Sequence, residues 1–312
     1  VPSSPGSRGG RPTIGIVGGG QLGRMITLSA LPLGFDVVVL DPGPGSPAAQ
    51  VGARQIVGDF HDAAGMRELA DAVDFLTIEF EHLDAGALQQ IADATTVQVN
   101  PSPSTIALVQ DKLRQKEFLQ RNGIAVGPFA AVDDLAAAEQ VLAQYGGSMI
   151  LKTRTGGFDG RGNEVVRSPA ELRAALERFA GTPLYAEQLV PFDRELAVMV
   201  ARGVDGEIAT YPVVETVHQR NICVEVLAPA PVDAGIAAAA ERLATDVAGL
   251  LDGAGMYGVE MFLTTSGEVL VNEIAPRVHN SGHYTQDAAR TSQFEQHVRA
   301  ITGLPLGPTH LT

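Results

Sequence analysis

The sequence predicts a mixed fold: an α/β part with a doubly wound parallel sheet, then an α+β part with a small α/β lobe and a largely antiparallel sheet. Three observations carry this. From Thr13 to Val99 short apolar runs alternate with helical patterns, which implies parallel βαβ units with right-handed crossovers. Asn100-Pro101-Ser102-Pro103 interrupts that pattern. Beyond Pro191 the strand-like runs lengthen and hairpin turns join them. A chain of 312 residues, 45% apolar, is long enough for two domains or three small ones, each with a buried core.

Val1 to Pro12, rich in Ser, Pro, Gly and Arg, is expected to be a disordered tail, and a start at Val rather than Met suggests processing or trimming. Thr13 to Val17 reads as a buried strand, Gly18-Gly19-Gly20 as a turn and Gln21 to Ala30 as a helix. A strand over Leu33 to Leu40 ends at Asp41 before a Pro/Gly-rich loop. Helix 63–72, strand 75–78, helix 84–92 and strand 97–99 complete the first part, residues 13–103. A helix over Thr105 to Asn122 closes on Gly123. Strand 129–132, helix 135–144 and strand 149–152 follow, and then a glycine-rich stretch runs from Thr153 to Asn163. Ser168, Pro169 and Glu171 form a helix start with a capping box, and strand 184–186 ends the lobe. Strands 195–202 and 207–214 pair through the turn Val204-Asp205-Gly206-Glu207, strand 222–227 follows, and helix 234–251 precedes a last hairpin, 257–264 with 268–273.

Composition excludes several functions. With 36 acidic against 22 basic side chains the net charge is −14, the wrong sign for a general nucleic-acid binder or for anionic lipid surfaces. One cysteine, Cys223, rules out an internal disulfide framework or a multi-cysteine metal site, and its alternating strand reads as structural. No run approaches the ~18 apolar residues of a membrane span, so a soluble, cytoplasmic protein is expected.

Four constellations could carry chemistry. Gly18-x-Gly20-x-x-Gly23 opens a helix directly after a strand, with Asp41 about 20 residues on, as in dinucleotide sites. The competing reading is that the glycines serve strand–helix packing. In the last hairpin a two-residue turn at Ser266-Gly267 places Thr265 opposite Glu268 and, counting back along both strands, Glu260 opposite Glu273. Two carboxylates ~5 Å apart repel by about 3 kcal/mol at an effective dielectric near 20. A fold that keeps such a pair supplies a proton or a cation, and an oxygen-only donor set points to magnesium. A one-residue slip would break the pairing. The Thr153 to Asn163 stretch, preceded by Lys152, suits equally a hairpin lid over phosphates and a plain flexible surface loop, and it is no P-loop. Last, Ala275 to Tyr284 places Arg277, His279, Asn280, Ser281 and His283 beside the carboxylates, as a substrate loop would, while Ser281 lacks the context of a nucleophile elbow.

Together these residues resemble the ATP-grasp superfamily and, within it, the 5-(carboxyamino)imidazole ribonucleotide synthase family. The stretches that carry the resemblance are Gly18 to Met25, Gly156 to Gly162 and, above all, Asn272 to His283. The resemblance implies an ATP-grasp fold with an N-terminal Rossmann-like domain (13–103) and an ATP-grasp domain (104–312) whose lid spans about 127–188. It implies that Lys112 and Lys152 hold the ATP phosphates under the loop Gly157, Phe158, Asp159, Gly160, Arg161, Gly162 and Asn163. Glu187, Gln188, Leu189 and Val190 would meet adenine, Glu195 the ribose, and His218 would lie near the nucleotide. Glu260 and Glu273 would bind Mg2+, assisted by Asn272. Gly20, Gln21, Leu22, Glu79, Arg277, Asn280 and Ser281 would contact aminoimidazole ribonucleotide. The implied reaction is ATP- and bicarbonate-dependent carboxylation of that substrate's amine through carboxyphosphate, with Arg277 assisting and His279, His283 and Asp159 as candidate bases. A homodimer is also implied. The chain departs from the family in two ways. Phe158 stands where Tyr is frequent, and the family extends several tens of residues beyond Leu306 with basic residues that grip the substrate phosphate, so truncation or weakened substrate binding is expected. Other readings are a different ATP-grasp ligase, such as a formate-dependent glycinamide ribonucleotide transformylase, an NAD-dependent oxidoreductase resting on the glycine turn, and a silent nucleotide-binding protein.

Overall fold

The computed structural model describes residues 10–157, 162–219 and 222–312. Most of the expected tail, and Phe158, Asp159, Gly160 and Arg161 of the expected lid loop, lie outside the described residues. Pro12 is part of the ordered chain, its carbonyl accepting from the Asp36 amide.

The first part runs β1 (Thr13–Val17), α1 (Gln21–Ala30), β2 (Asp36–Asp41), β3 (Arg54–Val57), α2 (Ala63–Asp71), β4 (Phe75–Ile78), α3 (Ala85–Ala94) and β5 (Gln98–Val99). The sheet is parallel, in the order β3-β2-β1-β4-β5. Its strand order reverses between β1 and β4, and Gly18 to Gly20 and Glu79 meet at that switch point. The strand expected from Leu33 begins at Asp36, because Leu31–Leu33 form a 3-10 turn closed by Gly34 at φ 89°. β3 falls inside the expected loop. Only Ile56 of its four residues is buried, so it carries no alternation, and its place is set by pairing with β2.

The helix expected over 105–122 is two helices, α4 (Pro103–Gln110) and α5 (Lys112–Arg121). Asp111 between them is extended (φ −101°, ψ 101°). Its carboxylate caps α5 at the Arg114 amide and receives Arg154 in two hydrogen bonds of 3.1 and 2.5 Å. That long-range pair holds the chain extended where a single helix was expected.

The small lobe contains β6 (Phe129–Val132), α6 (Leu135–Gln144), β7 (Met149–Thr153), β8 (Asn163–Val166), α7 (Pro169–Arg178) and β9 (Leu184–Gln188). Its antiparallel sheet, in the order β6-β9-β7-β8, buries Leu142, Leu151, Leu172 and Ala186 against the two helices. Ser168 caps α7 as expected, its Oγ 3.2 Å from the Glu171 amide, while Glu171 reaches back to the Arg167 amide at 2.8 Å.

The last part contains β10 (Phe192–Arg202), β11 (Ile208–Thr210), β12 (Val214–Gln219), β13 (Ile222–Leu227), α8 (Ala234–Leu250), β14 (Gly255–Thr264), β15 (Val269–Ala275), α9 (Thr285–Ala288) and α10 (Gln293–Thr302). The antiparallel order is β13-β12-β10-β14-β15, with β11 on β10. The strand expected over 207–214 is thus split into β11 and β12, which both pair with β10. Tyr211 at the break is fully buried and donates to the Thr291 carbonyl, and Pro212 has no amide to give a ladder.

One face of this sheet, through Leu196, Val198, Val200, Tyr257, Val259 and Met261, packs on Ala240, Ala244 and Val247 of α8. Part of the other face, Met199, Ala201 and Met256, packs with Ile26 of α1 and with Phe294, Val298 and Ile301 of α10. Buried His297 ties the parts together, with Nε2 2.9 Å from Thr77 Oγ1 on β4 and Nδ1 accepting from the Met256 amide. Among the described residues no helix is long and apolar enough to cross a membrane.

Candidate active site

On β14, Tyr257, Val259, Met261 and Leu263 point into the core, so Glu260 points to the opposite face. Glu260 does lie opposite Glu273, but by a different route from the one expected. The turn holds three residues, 265–267, between Thr264 and Glu268, with Gly267 at φ 84°. Near the turn every pair is therefore one residue off the expected register, as in Leu263 with Val269 and Met261 with Val271. A β-bulge between Glu260 and Met261 then takes up Asn272 and brings Glu260 and Glu273 together. The bulge also reverses parity: Val271 and Ile274 both enter the core, while Asn272 and Glu273 both face the cleft.

That cleft encloses about 240 Å³. It gathers Lys112, Gly157, Asn163, Glu195, His218, Glu260, Asn272, Glu273, Arg277, His279 and Asn280 of the expected site. Glu81 and Cys223 also line it, neither of which the sequence reading placed there. Cys223 faces His218 across the β12–β13 pair.

The cleft brings carboxylates and basic side chains into contact. Burial and then the facing Glu273 push the Glu260 carboxyl up to about 7. His279 Nε2 lies 3.5 Å from Glu260, but burial and the Arg277 charge push His279 down to about 3, so it is neutral and offsets nothing. Lys112 Nζ sits 2.9 Å from one Glu273 oxygen and 3.0 Å from the other. His218 lies 3.0 Å from Glu195, which raises its pKa. Arg277 is bound by Glu81 at 2.5 and 3.2 Å, and this pairing outweighs burial to hold the Glu81 carboxyl below its ordinary value. Among the described residues no three ligating side chains form a preformed metal cage. Two carboxylates and an amide oxygen that leave coordination positions to phosphate and water do fit magnesium.

A second cluster lies behind the cleft. Glu187 is buried with Tyr185, whose hydroxyl donates to it at 2.7 Å, and with Lys152 and Lys116 at 3.1 and 3.6 Å. Burial alone would raise the Glu187 carboxyl, but Lys116 and Lys152 bring it to about 2. Lys152 is therefore held by Glu187, and neither it nor the expected Glu187, Gln188, Leu189 and Val190 lines the cleft. Lys116 was missed by the sequence reading; the signal for it is its spacing of four from Lys112 on one helix face.

Several expected residues are not in the cleft. Ser281 is buried and its Oγ contacts His279 Nδ1 at 2.9 Å, so it orients the imidazole. His283 packs against Phe294 and contacts Gln293. Of the three candidate bases, His279 alone among the described residues lines the cleft.

The glycine turn is filled from within. Glu79 accepts from the Gly20 and Leu22 amides at 2.6 and 3.0 Å, and Asp41 accepts from the Gly19 amide at 3.0 Å. A Cβ at Gly20 would lie 2.5 Å from Glu79 Oε1. The glycines make room for a carboxylate at the helix N-terminus, where a dinucleotide's pyrophosphate would have to sit. This geometry removes the basis of the NAD-dependent reading. Gln21 and the surfaces of Gly20 and Leu22 remain on the rim of the first sheet.

Comparison with known proteins agrees with this geometry. The ATP-grasp domain family matches residues 117–294, and the ribonucleotide synthetase preATP-grasp domain family matches residues 12–110. The chain is 51% identical over 297 residues to a phosphoribosylaminoimidazole carboxylase of Ogataea methanolica, covering 94% of this chain and 55% of that protein. It is 42% identical to an N5-carboxyaminoimidazole ribonucleotide synthase of Bacillus subtilis, covering 96% and 78%. A crystal structure of the Aspergillus clavatus synthase in complex with ADP and 5-aminoimidazole ribonucleotide superposes with a TM-score of 0.90 at 40% identity, covering 96% of this chain and 78% of that one. The chain spans about half the length of the carboxylases it matches.

Proposed function

Because the chain belongs to the N5-carboxyaminoimidazole ribonucleotide synthase family of ATP-grasp proteins, we propose that it carboxylates 5-aminoimidazole ribonucleotide at the expense of ATP. The observation that carries the proposal is the bulged strand that turns Asn272 and Glu273 together toward Glu260, in one cleft with Lys112 and Arg277. Bicarbonate as the carbon source, a homodimer and a cytoplasmic location belong to the same proposal and rest on the family alone.

In the first step a bicarbonate oxygen attacks the γ-phosphorus and ADP leaves, giving carboxyphosphate. In the second the exocyclic amine attacks the carboxyl carbon, the bond from that carbon to the phosphate oxygen breaks, and the proton lost by the amine leaves with the phosphate. Phosphoryl transfer of this kind depends on positioning and on charge neutralisation. Lys112, which lines the cleft from α5, and Lys152 of β7, whose ammonium pairs with Glu187, would hold the phosphates. Glu260 and Glu273, with Asn272 beside them, would hold magnesium, which neutralises phosphate charge when bound. To hold it, Glu260 would act as a carboxylate and Glu273 would exchange its Lys112 partner for the metal. Arg277, which lines the cleft and is held by Glu81, would stabilise the anionic carboxyphosphate. Glu195 would receive the ribose hydroxyls. The hairpin of β7 and β8 would cover the site, excluding water from an intermediate that water destroys.

The test is phosphate release from Mg-ATP and bicarbonate, with and without 5-aminoimidazole ribonucleotide. Release that depends on the ribonucleotide and disappears in Glu273→Gln is expected. Release stimulated by glycinamide ribonucleotide and formate instead would replace this reading with the transformylase one. ATP binding without ribonucleotide-dependent turnover would refute it for this chain.

A further inference from the structure

We infer that Gln115 and Lys116, consecutive on α5, are positioning residues that hold the bulge in β15 and thereby set which side chains face the metal. The inference rests on the proposed Mg-ATP reading of the cleft.

β15 is the edge strand of its sheet, so one side of its backbone faces α5 and the segment that follows it rather than another strand. In a regular strand the outward amides recur every second residue. Here the outward amides with partners are those of Val271, donating to the Ala125 carbonyl at 2.8 Å, and Ile274, donating to Gln115 Oε1 at 3.2 Å. They are three apart, a spacing that requires the extra residue of the bulge. Lys116 Nζ lies 3.4 Å from the Val271 carbonyl. One pair of side chains therefore grips the backbone on both sides of Asn272-Glu273. Without the bulge the Ile274 amide would turn toward β14 and Gln115 would lose its donor.

The setting of Gln115 supports a specific task. It is fully buried, and its Nε2 has no hydrogen-bond partner among the described residues. An apolar side chain would fill that space without an unpaired amide. The carbonyl orientation is dictated by the Ile274 amide, since a flipped amide would set one donor against another. Lys116 has a second contact, 3.6 Å to Glu187 on β9, so the same ammonium links the adenine-side strand to the metal-side strand. Lys112, Gln115 and Lys116 lie on one face of α5, and a single helix face thus reaches Glu273, Ile274, Val271 and Glu187. A slip to the unbulged register would put Asn272 opposite Glu260 and dissolve the carboxylate pair.

The experiment compares Gln115→Met, Gln115→Glu and Lys116→Met with the wild-type protein. ADP binding is titrated by calorimetry with Mn2+ and with EDTA, and bound Mn2+ is followed by electron paramagnetic resonance. Gln115→Met is expected to weaken Mn2+ in the ADP complex about tenfold, to leave metal-free ADP affinity unchanged and to lower kcat without raising KM for the ribonucleotide. Gln115→Glu keeps an acceptor for Ile274 and is expected to restore most of the loss. Lys116→Met should weaken Mn2+ similarly and metal-free ADP as well, through Glu187. If Lys116→Met does not fold, the two Gln115 variants still decide. Wild-type tightening of ADP by Mn2+ together with an unaffected Gln115→Met, or a Gln115→Glu as impaired as Gln115→Met, would overturn this inference alone. A wild-type protein that binds ADP no better with Mn2+ would overturn the metal reading and the inference together.

Discussion

Replacing Glu260 by glutamine is expected to make the ligand-free protein more stable at pH 8 while removing a metal ligand. In the fold, burial and Glu273 raise the Glu260 carboxyl from 4.5 to about 7. Each unit corresponds to 1.36 kcal/mol, so the ionised side chain costs the folded state about 3 kcal/mol. The sign follows from linkage: a carboxyl raised on folding favours the fold while it is protonated, and that advantage is lost as pH rises from 4.5 through 7. Glutamine has the same shape and no charge, so its stability should lack that fall. Urea unfolding in EDTA, at pH 5 and pH 8, reads the difference directly. Glu260→Gln should exceed the wild-type protein by about 1 kcal/mol at pH 5 and by about 3 kcal/mol at pH 8. Adding Mg2+ to the ADP complex should then stabilise the wild-type protein further and not the variant. A variant less stable than wild type at pH 8, or a gap that is the same at both pH values, would refute the reasoning.

Three other substitutions probe the charge network. Glu187→Gln leaves Lys116 and Lys152 buried without their carboxylate, so it should cost about 3 to 5 kcal/mol in chemical unfolding and weaken ATP binding. Because Glu187 is held at about 2, the stability it supplies is present above its ordinary 4.5 and lost as pH falls toward 2, an acid transition the variant should lack. Glu81→Gln removes the bidentate partner that presets Arg277. Steady-state assays should show kcat down by as much as about a hundredfold with KM for ATP little changed; an unchanged kcat would mean that Arg277 does not act in the reaction. His297 is pushed by burial down to about 4, so its stabilisation is complete above 6.5 and lost as pH falls to 4. His297→Gln should remove about 3 kcal/mol of that pH dependence, measured by unfolding at pH 7 and pH 4.5.

How far the site could be read from the residues is clearest at Glu260 and Glu273. Their pairing was legible because a hairpin turn and strand alternation are local properties. The expected register was nonetheless wrong at the turn, where Thr264 to Glu268 closes a three-residue loop, and a bulge at Asn272 restored the pairing. Nothing within the hairpin announces that bulge, since its partners lie on α5, more than 150 residues earlier. Glu81 and Lys116 were missed for a related reason. In sequence each is a single charge with no local partner that marks it, and only a partner brought from a distant strand distinguishes it from a solvated side chain.

By itself the sequence determined most of the strands and helices, though not β3, β8 or α10, together with the glycine turn, the two carboxylate strands and the motif Asn272 to His283, because propensity, alternation and turn chemistry act over a few residues. Tertiary structure alone decided the break of the helix at Asp111, the occupation of the glycine turn by Glu79, the pairing of Arg277 with Glu81 and the bulge that turns Asn272 and Glu273 to one side. Each of these is a charge or a backbone group satisfied by a residue far away in the chain. Such groups must find partners when they are buried, and which partner they find depends on how the sheets are assembled.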